Sequence, residues 1–296
     1  MDPRMRPAAN PLHPSGDPPL RGGQDLETAY AKINLALHVR GRRADGYHDL
    51  ETLFAFVDAG DTLTAREADT FSLTVTGPFA GDLANEPDNL VLRAARLMAR
   101  HNGITTGLAF TLDKHLPIAS GIGGGSADAA AALRLADRIW GPDRVTVRMF
   151  DYCADLGADV PACCVSRTRL GSGVGDRLVD CDIPGLVGAP VLLVNPLVAC
   201  PTGPVFRQWD GIDRGPLDPA QWRDARNDLE PPAIALVPAI GEVLAALRQT
   251  GARLTRMSGS GATCFALYDH APARDSAARA IAADHPQWWT MSGALR

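Results

Sequence analysis

The chain has 296 residues, of which 46% are hydrophobic and 21% charged, and its formal net charge is −5. This length predicts one large domain or two ordinary ones, and the acidic balance argues against a nucleic-acid-binding protein. No apolar run approaches the roughly 18 residues of a membrane-spanning helix. The six cysteines show no CxxC pair or metal-site spacing, so we expect reduced thiols, a cytoplasmic location and no membrane partner.

The first hundred residues are predicted to be rich in strands after an N-terminal segment. Residues 1–27 are rich in proline and polar residues and lack an apolar signal segment, which predicts a disordered extension. Residues 28–39 alternate between apolar and polar, so they predict a strand on which Lys32 and Asn34 project to one side; an ordinary solvated face is the alternative. Asp45-Gly46 predicts a hairpin turn before a second strand, and 62–65 and 71–75 predict short strands.

A glycine-rich loop that leads into a helix is the most informative motif of the chain. Four glycines and two serines lie within seven residues, 120–126, and an alanine-rich helix follows to Trp140. The free N–H groups and the dipole of a helix start favour an anion, which predicts a nucleotide phosphate site. The loop lacks the Lys-Ser or Lys-Thr pair of a P-loop and the third glycine of the dinucleotide fingerprint. A flexible glycine turn is the alternative.

Helices and strands mix along the rest of the chain, which suggests an α+β organisation with a second domain. Asp88-Asn89 predicts the start of a helix over 90–101, a strand follows at 108–112, and a further helix is expected over 145–156. Asp159 before Val160-Pro161 is, taken alone, a good helix N-cap. Beyond a turn at 171–175 we expect a strand at 191–194, helices at 233–248 and 271–284, and a second glycine loop at 258–261 before a strand at 263–268.

Lysine is nearly absent from the chain. Of 29 Lys and Arg residues only two are lysines, Lys32 and Lys114, and Lys114 stands just before the glycine loop. This pattern fits a need for a compact ammonium at two positions, and chance retention of two surface lysines is the alternative.

Three sequence motifs, in their order along the chain, resemble those of the GHMP kinase superfamily, which includes galactokinase, homoserine kinase and mevalonate kinase. They are residues 31–35 (Ala-Lys-Ile-Asn-Leu), the loop over 117–130, and residues 258–262 (Ser-Gly-Ser-Gly-Ala). With 45–48 (Asp-Gly-Tyr-His), 88–90 (Asp-Asn-Leu) and 157–161 (Gly-Ala-Asp-Val-Pro), the match narrows to the branch that acts on CDP-methylerythritol. It runs from about Tyr30 to the end of the chain. The resemblance implies a two-domain GHMP kinase α+β fold, with a ribosomal-S5-like domain over 28–172, a ferredoxin-like domain over 173–296, and the active site between them.

The resemblance also implies roles for individual residues. Asp159 matches the general base and Lys32 the lysine paired with it, which would keep the carboxylate ionised. His48 would bond the edge of a cytosine and Phe206 would stack on it. The residues expected to bind ATP are Asn89, Lys114, Pro117, Ile118, Ala119, Ser120, Gly121, Ile122, Gly123, Gly124, Gly125 and Ser126. Those expected to bind the second substrate are Asn34, Tyr47, His48, Thr202, Phe206, Gly259, Ser260 and Gly261.

The implied activity is ATP-dependent phosphorylation of the 2-hydroxyl of CDP-methylerythritol in the non-mevalonate isoprenoid pathway, by direct in-line transfer. Magnesium is expected to be held mainly by the nucleotide, because the family's metal-binding glutamate is missing and Asp128 is the nearest carboxylate. A monomer or weak dimer is expected. The alternatives are another small-molecule GHMP kinase, of the homoserine or mevalonate type, and a catalytically silent GHMP-fold binding protein. A redox protein that uses Cys163 and Cys164 is a third alternative.

Overall fold

The computed structural model describes residues 25–83 and 88–296. Residues 1–24 of the predicted extension lie outside this range, but Asp25, Leu26 and Glu27 begin the first strand, so the prediction of disorder is wrong for them. Glu27 is held there by ion pairs with Arg134 and Arg138.

The strands are β1 Asp25–Arg42, β2 His48–Ala68, β3 Ser72–Thr76, β4 Gly107–Asp113, β5 Arg169–Gly173, β6 Arg177–Asp180, β7 Pro190–Asn195, β8 Leu254–Met257, β9 Cys264–Leu267 and β10 Trp289–Ala294. The α-helices are α1 Ala80–Leu83, α2 Leu90–Asn102, α3 Gly124–Trp140, α4 Val160–Val165, α5 Thr202–Arg207, α6 Glu230–Leu236, α7 Ala239–Arg248 and α8 Ala271–Asp284.

The first sheet is organised around the 21-residue strand β2. β1 pairs antiparallel along β2, and on the other edge of β2 the strand β5 pairs with its beginning and β4 with its end. β3 and β6 complete the sheet beside β4 and β5. The segment 62–65, predicted as a separate short strand, is therefore the continuation of β2.

Both faces of the β1–β2 pair are buried, so the polar side chains of β1 do not form a solvated face. Phe54 and Phe56 of β2 pack into the core under α2 and α3, whereas Leu53 and Val57 face the core shared with the second sheet. Lys32 is 3% exposed. Because a lysine is almost never buried without a partner, this position requires an explanation in terms of its contacts.

The second sheet has the strand order β10-β7-β9-β8 and is antiparallel throughout. The connection from β7 to β8 contains α5, α6 and α7, and α8 connects β9 to β10, which gives the β-α-β-β-α-β succession of a ferredoxin-like domain. The predicted fold class is thus confirmed, although β10 was not predicted. The first sheet reaches Asp180, so a division of the chain by sheets falls between residues 180 and 190, beyond the proposed boundary at 172.

Three predicted local elements differ from the structure for identifiable reasons. The stretch 145–156 forms two short 3-10 turns, at 149–151 and 153–156, because the Asn102 carboxamide accepts the N–H groups of Thr146 and Val147 (2.7 Å each) and holds that stretch out of a helix. Pro238 divides the predicted helix over 233–248 into α6 and α7, since it has no N–H to continue the ladder. Gly171 belongs to strand β5 rather than to a turn, and a Cβ there would lie 2.7 Å from the Phe54 ring.

One buried arginine joins the two halves of the molecule. Arg256 of β8 is 6% exposed, and its guanidinium donates to the carbonyls of Leu35 on β1 and of Trp222, Arg223 and Ala225 in the connecting loop. Burial lowers its pKa to about 10, which leaves it charged at neutral pH.

Replacing this arginine is expected to destabilise the whole fold. In an Arg256→Met variant four carbonyls lose their donor, two of them in buried bonds, and we expect a loss of about 3 kcal/mol in the free energy of unfolding. Chemical denaturation followed by circular dichroism measures it. Arg279→Met, a change on the helix α8, is the control, and equal stability of the two variants would contradict the role of Arg256.

Candidate active site

The buried Lys32 is held by two side chains, that of Asn34 on the same strand and that of Asp159 much later in the chain. Its ammonium nitrogen Nζ lies 3.0 Å from Asp159 Oδ2 and donates to Asn34 Oδ1 at 2.9 Å. The Asn34 amide in turn donates to Thr52 Oγ1 (2.7 Å), and Thr52 donates to the Ala36 carbonyl (2.8 Å). This chain of hydrogen bonds fixes which end of the Asn34 carboxamide faces the lysine.

Asp159 occupies the N-cap position of α4, but its side chain makes no capping hydrogen bond. It pairs with Lys32 instead, so capping does not account for this residue. Its side chain is 35% exposed, whereas that of Lys32 is 4% exposed. One carboxylate oxygen therefore faces the lysine, and the side chain remains accessible to a ligand.

The glycine loop lies directly against this pair. The Lys32 N–H donates to the Ile122 carbonyl at 3.0 Å, so strand β1 carries both the lysine and a hydrogen bond to the loop. Gly123 has φ +64°, and a Cβ there would lie 3.0 Å from Lys32 Cε and 3.8 Å from Asp159 Oδ2. The close approach and the left-handed backbone both require glycine at this position.

Helix α3 begins inside the loop, at Gly124, rather than after it. The first N–H groups of this helix have no carbonyl one turn earlier to accept them, so they are free to bind an anion. Asn89 caps α2 by accepting the N–H of Val91 at 2.9 Å, and Leu90 packs beside Gly125. The start of α2 thus lies next to the loop, and the expected contact of Asn89 with a nucleotide stays a prediction.

Lys114 lies beneath the loop, where two carboxylates hold it. Its Nζ is 2.6 Å from Asp61 Oδ2 and 2.6 Å from Asp128 Oδ2, and all three side chains are at most 4% exposed. Asp61 Oδ1 also accepts the N–H groups of His115 (2.6 Å) and Leu116 (2.8 Å), which lead into the loop. This triad, Asp61–Lys114–Asp128, ties β2 and α3 to the start of the loop. The expected nucleotide contact of Lys114 stays a prediction.

The charges of this triad do not balance, because one ammonium faces two carboxylates. Burial raises the pKa of Asp128 to about 7, against the opposing effect of Lys114, and Asp128 Oδ1 has no hydrogen-bonding partner within the described residues. Burial alone would lower the pKa of Lys114, but Asp128 and Asp61 outweigh it and raise that pKa. Lys114 is therefore charged, and Asp128 is the member that takes up a proton most easily.

The second glycine loop contacts the first across the boundary between the two sheets. Ser258 Oγ accepts the N–H of Asn34 (3.1 Å) and donates to the Gly121 carbonyl (2.9 Å). A Cβ on Gly121 would lie 2.5 Å from the Ser258 carbonyl, and one on Gly259 would lie 3.2 Å from Asn34 Oδ1. The structure thus brings the second glycine loop to Asn34 and to the first glycine loop, and the expected contact of Gly259, Ser260 and Gly261 with a substrate stays a prediction.

A cluster of aromatic rings forms the other predicted part of the substrate site. The ring centroids of His48 and Phe206 are 5.0 Å apart, and Trp209 packs edge-on against His48 at 5.7 Å. Thr202, at the start of α5, lies 2.9 Å from Ser260 Oγ, which links this cluster to the second glycine loop. Tyr47 is 66% exposed and has no ring contact in the described part of the chain, so its role stays a prediction.

Several site residues carry no clear signal in the sequence. Thr52 and Asp61 lie within β2 and meet their partners only through tertiary pairing, and Trp209 follows a short helix in a loop-rich stretch. Ser258 belongs to the second glycine loop, whose approach to Asn34 depends on the packing of the two sheets. Of these residues, Thr52 alone has a signal in the sequence, because it is a polar residue inside an apolar strand run.

No metal site or membrane span accompanies this cleft in residues 25–83 and 88–296. These residues contain no group of three His, Cys, Asp or Glu side chains arranged to hold a metal ion. None of the helices described there has the length and apolar character needed to cross a membrane.

Two family models match the chain. The model for the GHMP kinases N terminal domain covers residues 89–167, and the model for the GHMP kinases C terminal covers residues 215–287, together just over half of the chain. The first match includes the glycine loop and Asp159, and the second includes the second glycine loop. The chain belongs to the GHMP kinases and is an ATP-dependent kinase.

Curated relatives define the branch. The chain is 56% identical to a 4-diphosphocytidyl-2-C-methyl-D-erythritol kinase of Novosphingobium aromaticivorans, over 91% of this chain and 92% of the relative. It is 55% identical to the enzyme of that name in Rhizorhabdus wittichii, over 91% of this chain and 94% of the relative. Within the GHMP kinases, the chain is a member of the 4-diphosphocytidyl-2-C-methyl-D-erythritol kinase family.

Solved structures agree with this assignment. A crystal structure of 4-(cytidine 5'-diphospho)-2C-methyl-D-erythritol kinase matches with a TM-score of 0.78 and 34% identity, over 92% of this chain and 99% of that one. A homoserine kinase from Cytophaga hutchinsonii matches with a TM-score of 0.64 at 18% identity, over 90% of this chain and 95% of that one, and therefore supports the fold alone.

Proposed function

We propose that this protein transfers the γ-phosphoryl group of ATP to the 2-hydroxyl of 4-diphosphocytidyl-2-C-methyl-D-erythritol, in the cytoplasm, as a step of non-mevalonate isoprenoid synthesis. The observation that carries the proposal is the aromatic cluster of His48 and Phe206 linked, through Thr202 and Ser260, to the cleft that contains Lys32 and Asp159. Such a cluster suits a pyrimidine, whereas an amino acid or mevalonate has no base to place there.

Asp159 is the proposed general base. It is the carboxylate that faces both the glycine loop and solvent, and proton transfer needs a base within hydrogen-bond reach of the hydroxyl. The Lys32 ammonium, 3.0 Å from Oδ2, holds this carboxylate in place. Lys32 has three N–H donors and uses two, on Asn34 and Asp159. The third is available for the acceptor hydroxyl or for the charge that spreads over the transferring phosphoryl group.

The phosphates of ATP are proposed to lie on the loop over Pro117–Ser126 and on the free N–H groups at the start of α3. Magnesium is expected to arrive with the nucleotide, where it neutralises phosphate charge. Asp61 and Asp128 are bonded to Lys114 and buried, so they are poor candidates for metal ligands. The half-buried Ser126 is the side chain of the loop that is best suited to contact the metal.

A direct assay tests the proposed reaction. The purified protein is given ATP and magnesium with CDP-methylerythritol, mevalonate or homoserine, and ADP release is measured. We expect ADP only with CDP-methylerythritol. ADP formed only with one of the other alcohols would contradict the assignment, and a catalytically silent protein would release none with any of them.

Phe206→Ala is expected to raise KM for the cytidine substrate about tenfold or more, by loss of stacking, while KM for ATP stays unchanged.

A further inference from the structure

His48 is held by an arginine that the catalytic scheme does not use. Nε of Arg42 donates to Nε2 of His48 at 3.4 Å, across the hairpin that joins β1 and β2. The ring also packs against Phe206 and Trp209, so it is 7% exposed and its orientation is fixed. The two nitrogens of the ring are therefore not equivalent.

The other nitrogen, Nδ1, is open to a ligand. Within residues 25–83 and 88–296 it has no hydrogen-bonding partner, and it is not among the unpartnered polar atoms that are closed off from solvent. Burial, and then the charge of Arg42, lower the pKa of His48, so the ring is neutral at pH 7. A neutral imidazole that accepts at Nε2 carries its proton on Nδ1.

We infer that Arg42 sets the base specificity of the site, by holding His48 in the tautomer whose Nδ1–H donates to N3 of a cytosine. N3 of cytosine is an acceptor, whereas N3 of uracil carries a proton and would face the donor with another donor. The inference rests on the proposed function, because it places a cytidine next to His48 and Phe206. Arg42 is a positioning residue here, since it acts through His48 and not on the reacting atoms.

The test compares the two bases directly. Binding of CDP and UDP is measured by calorimetry, and kcat/KM is measured for the cytidine substrate and for its uridine analogue. The wild-type protein is expected to prefer cytidine over uridine both in binding affinity and in kcat/KM. In Arg42→Met the ring can take either tautomer, and we expect the preference for cytidine to fall about tenfold, the effect of one hydrogen bond, with KM for ATP unchanged. Arg42→Lys, which keeps a donor, is expected to restore part of the preference.

Arg43→Met is the matched control. Arg43 lies in the same turn and carries the same charge, but it pairs with Asp45 and Asp49 rather than with His48. Loss of either arginine weakens attraction to a diphosphate equally for both bases, so Arg43→Met is expected to leave the ratio between them unchanged. Nitrogen-15 NMR of the histidine rings gives an independent readout, and we expect the His48 signals to show Nδ1 protonated.

The inference and the proposed function fail in different ways. An Nε2-protonated His48, or an Arg42→Met protein with the wild-type ratio, would overturn the role of Arg42 even if the kinase reaction is as proposed. A wild-type protein that prefers CDP over UDP but releases no ADP with CDP-methylerythritol would overturn the proposed reaction and leave the role of Arg42 intact.

Discussion

An Asp159→Asn variant is expected to bind ATP as the wild type does and to lose turnover by a factor of about 10² to 10⁴, the usual contribution of a general base. Asparagine keeps the shape of the side chain and can still accept from Lys32, which lies 3.0 Å from the carboxylate. It cannot take the proton of the acceptor hydroxyl. The chemical step should therefore fail while the nucleotide site stays formed.

Single-turnover kinetics and ATP calorimetry measure the two properties separately. Asp155→Asn is the control, because Asp155 is an exposed aspartate shortly before α4 that makes no ion pair in the described part of the chain. Turnover of Asp159→Asn within threefold of the control would remove Asp159 from the role of base. A large loss of ATP affinity would instead point to damage in the adjacent loop.

The second large effect is expected from the triad beneath the glycine loop. In Asp61→Ala, Lys114 loses one of its two counter-charges, and the N–H groups of His115 and Leu116 lose their acceptor. Lys114 keeps Asp128 as a counter-charge, but each buried donor that loses its acceptor costs about 1–3 kcal/mol. We expect a loss of this size in the free energy of unfolding, and a raised KM for ATP because the loop loses its support.

Asp128→Asn is the matched comparison, and its effect should depend on pH. The pKa of Asp128 is raised from 3.8 to about 7 in the folded protein, where it faces Lys114 and Asp61. Between these values the folded state binds more protons than the unfolded state, so this residue makes the free energy of unfolding fall as pH rises from about 4 to 7. Asparagine removes that contribution, and the variant should gain stability relative to wild type as pH rises.

Urea denaturation at pH 5 and pH 8 measures both effects. A loss below about 1 kcal/mol for Asp61→Ala would mean that the triad does not support the loop. A difference between Asp128→Asn and wild type that stays the same at both pH values would mean that Asp128 does not titrate in this range.

Much of the site could be predicted because its chemistry is concentrated in local motifs. The glycine loop, Lys32 with Asn34 on one strand, and His48 after Asp45-Gly46 are visible as short patterns, and the resemblance supplied Asp159. The start of α2 was also predicted, since Asp88-Asn89 signals it, and Asn89 caps that helix in the structure.

The parts that could not be predicted depend on distant contacts. Lys114 is conspicuous as one of two lysines, but its burial between Asp61 and Asp128 follows only from how β2, β4 and α3 pack. The helix predicted over 145–156 does not form and shows the same limit. The acceptor of the Thr146 and Val147 N–H groups is Asn102, more than forty positions earlier. A local pattern carries no information about a competing partner of this kind.

The contact between the two glycine loops has a consequence for folding kinetics. Asn34 bonds Ser258, which is 224 positions away, and Ser258 bonds Gly121. Contacts of such long sequence separation form late, because closing the intervening chain is entropically expensive. A refolding chain should therefore regain helical signal from α2 and α3 before it regains any enzymatic activity. The contacts of the second glycine loop beside Lys32 and Asp159 form only when the last part of the chain docks, so activity is expected to report on the final step of folding.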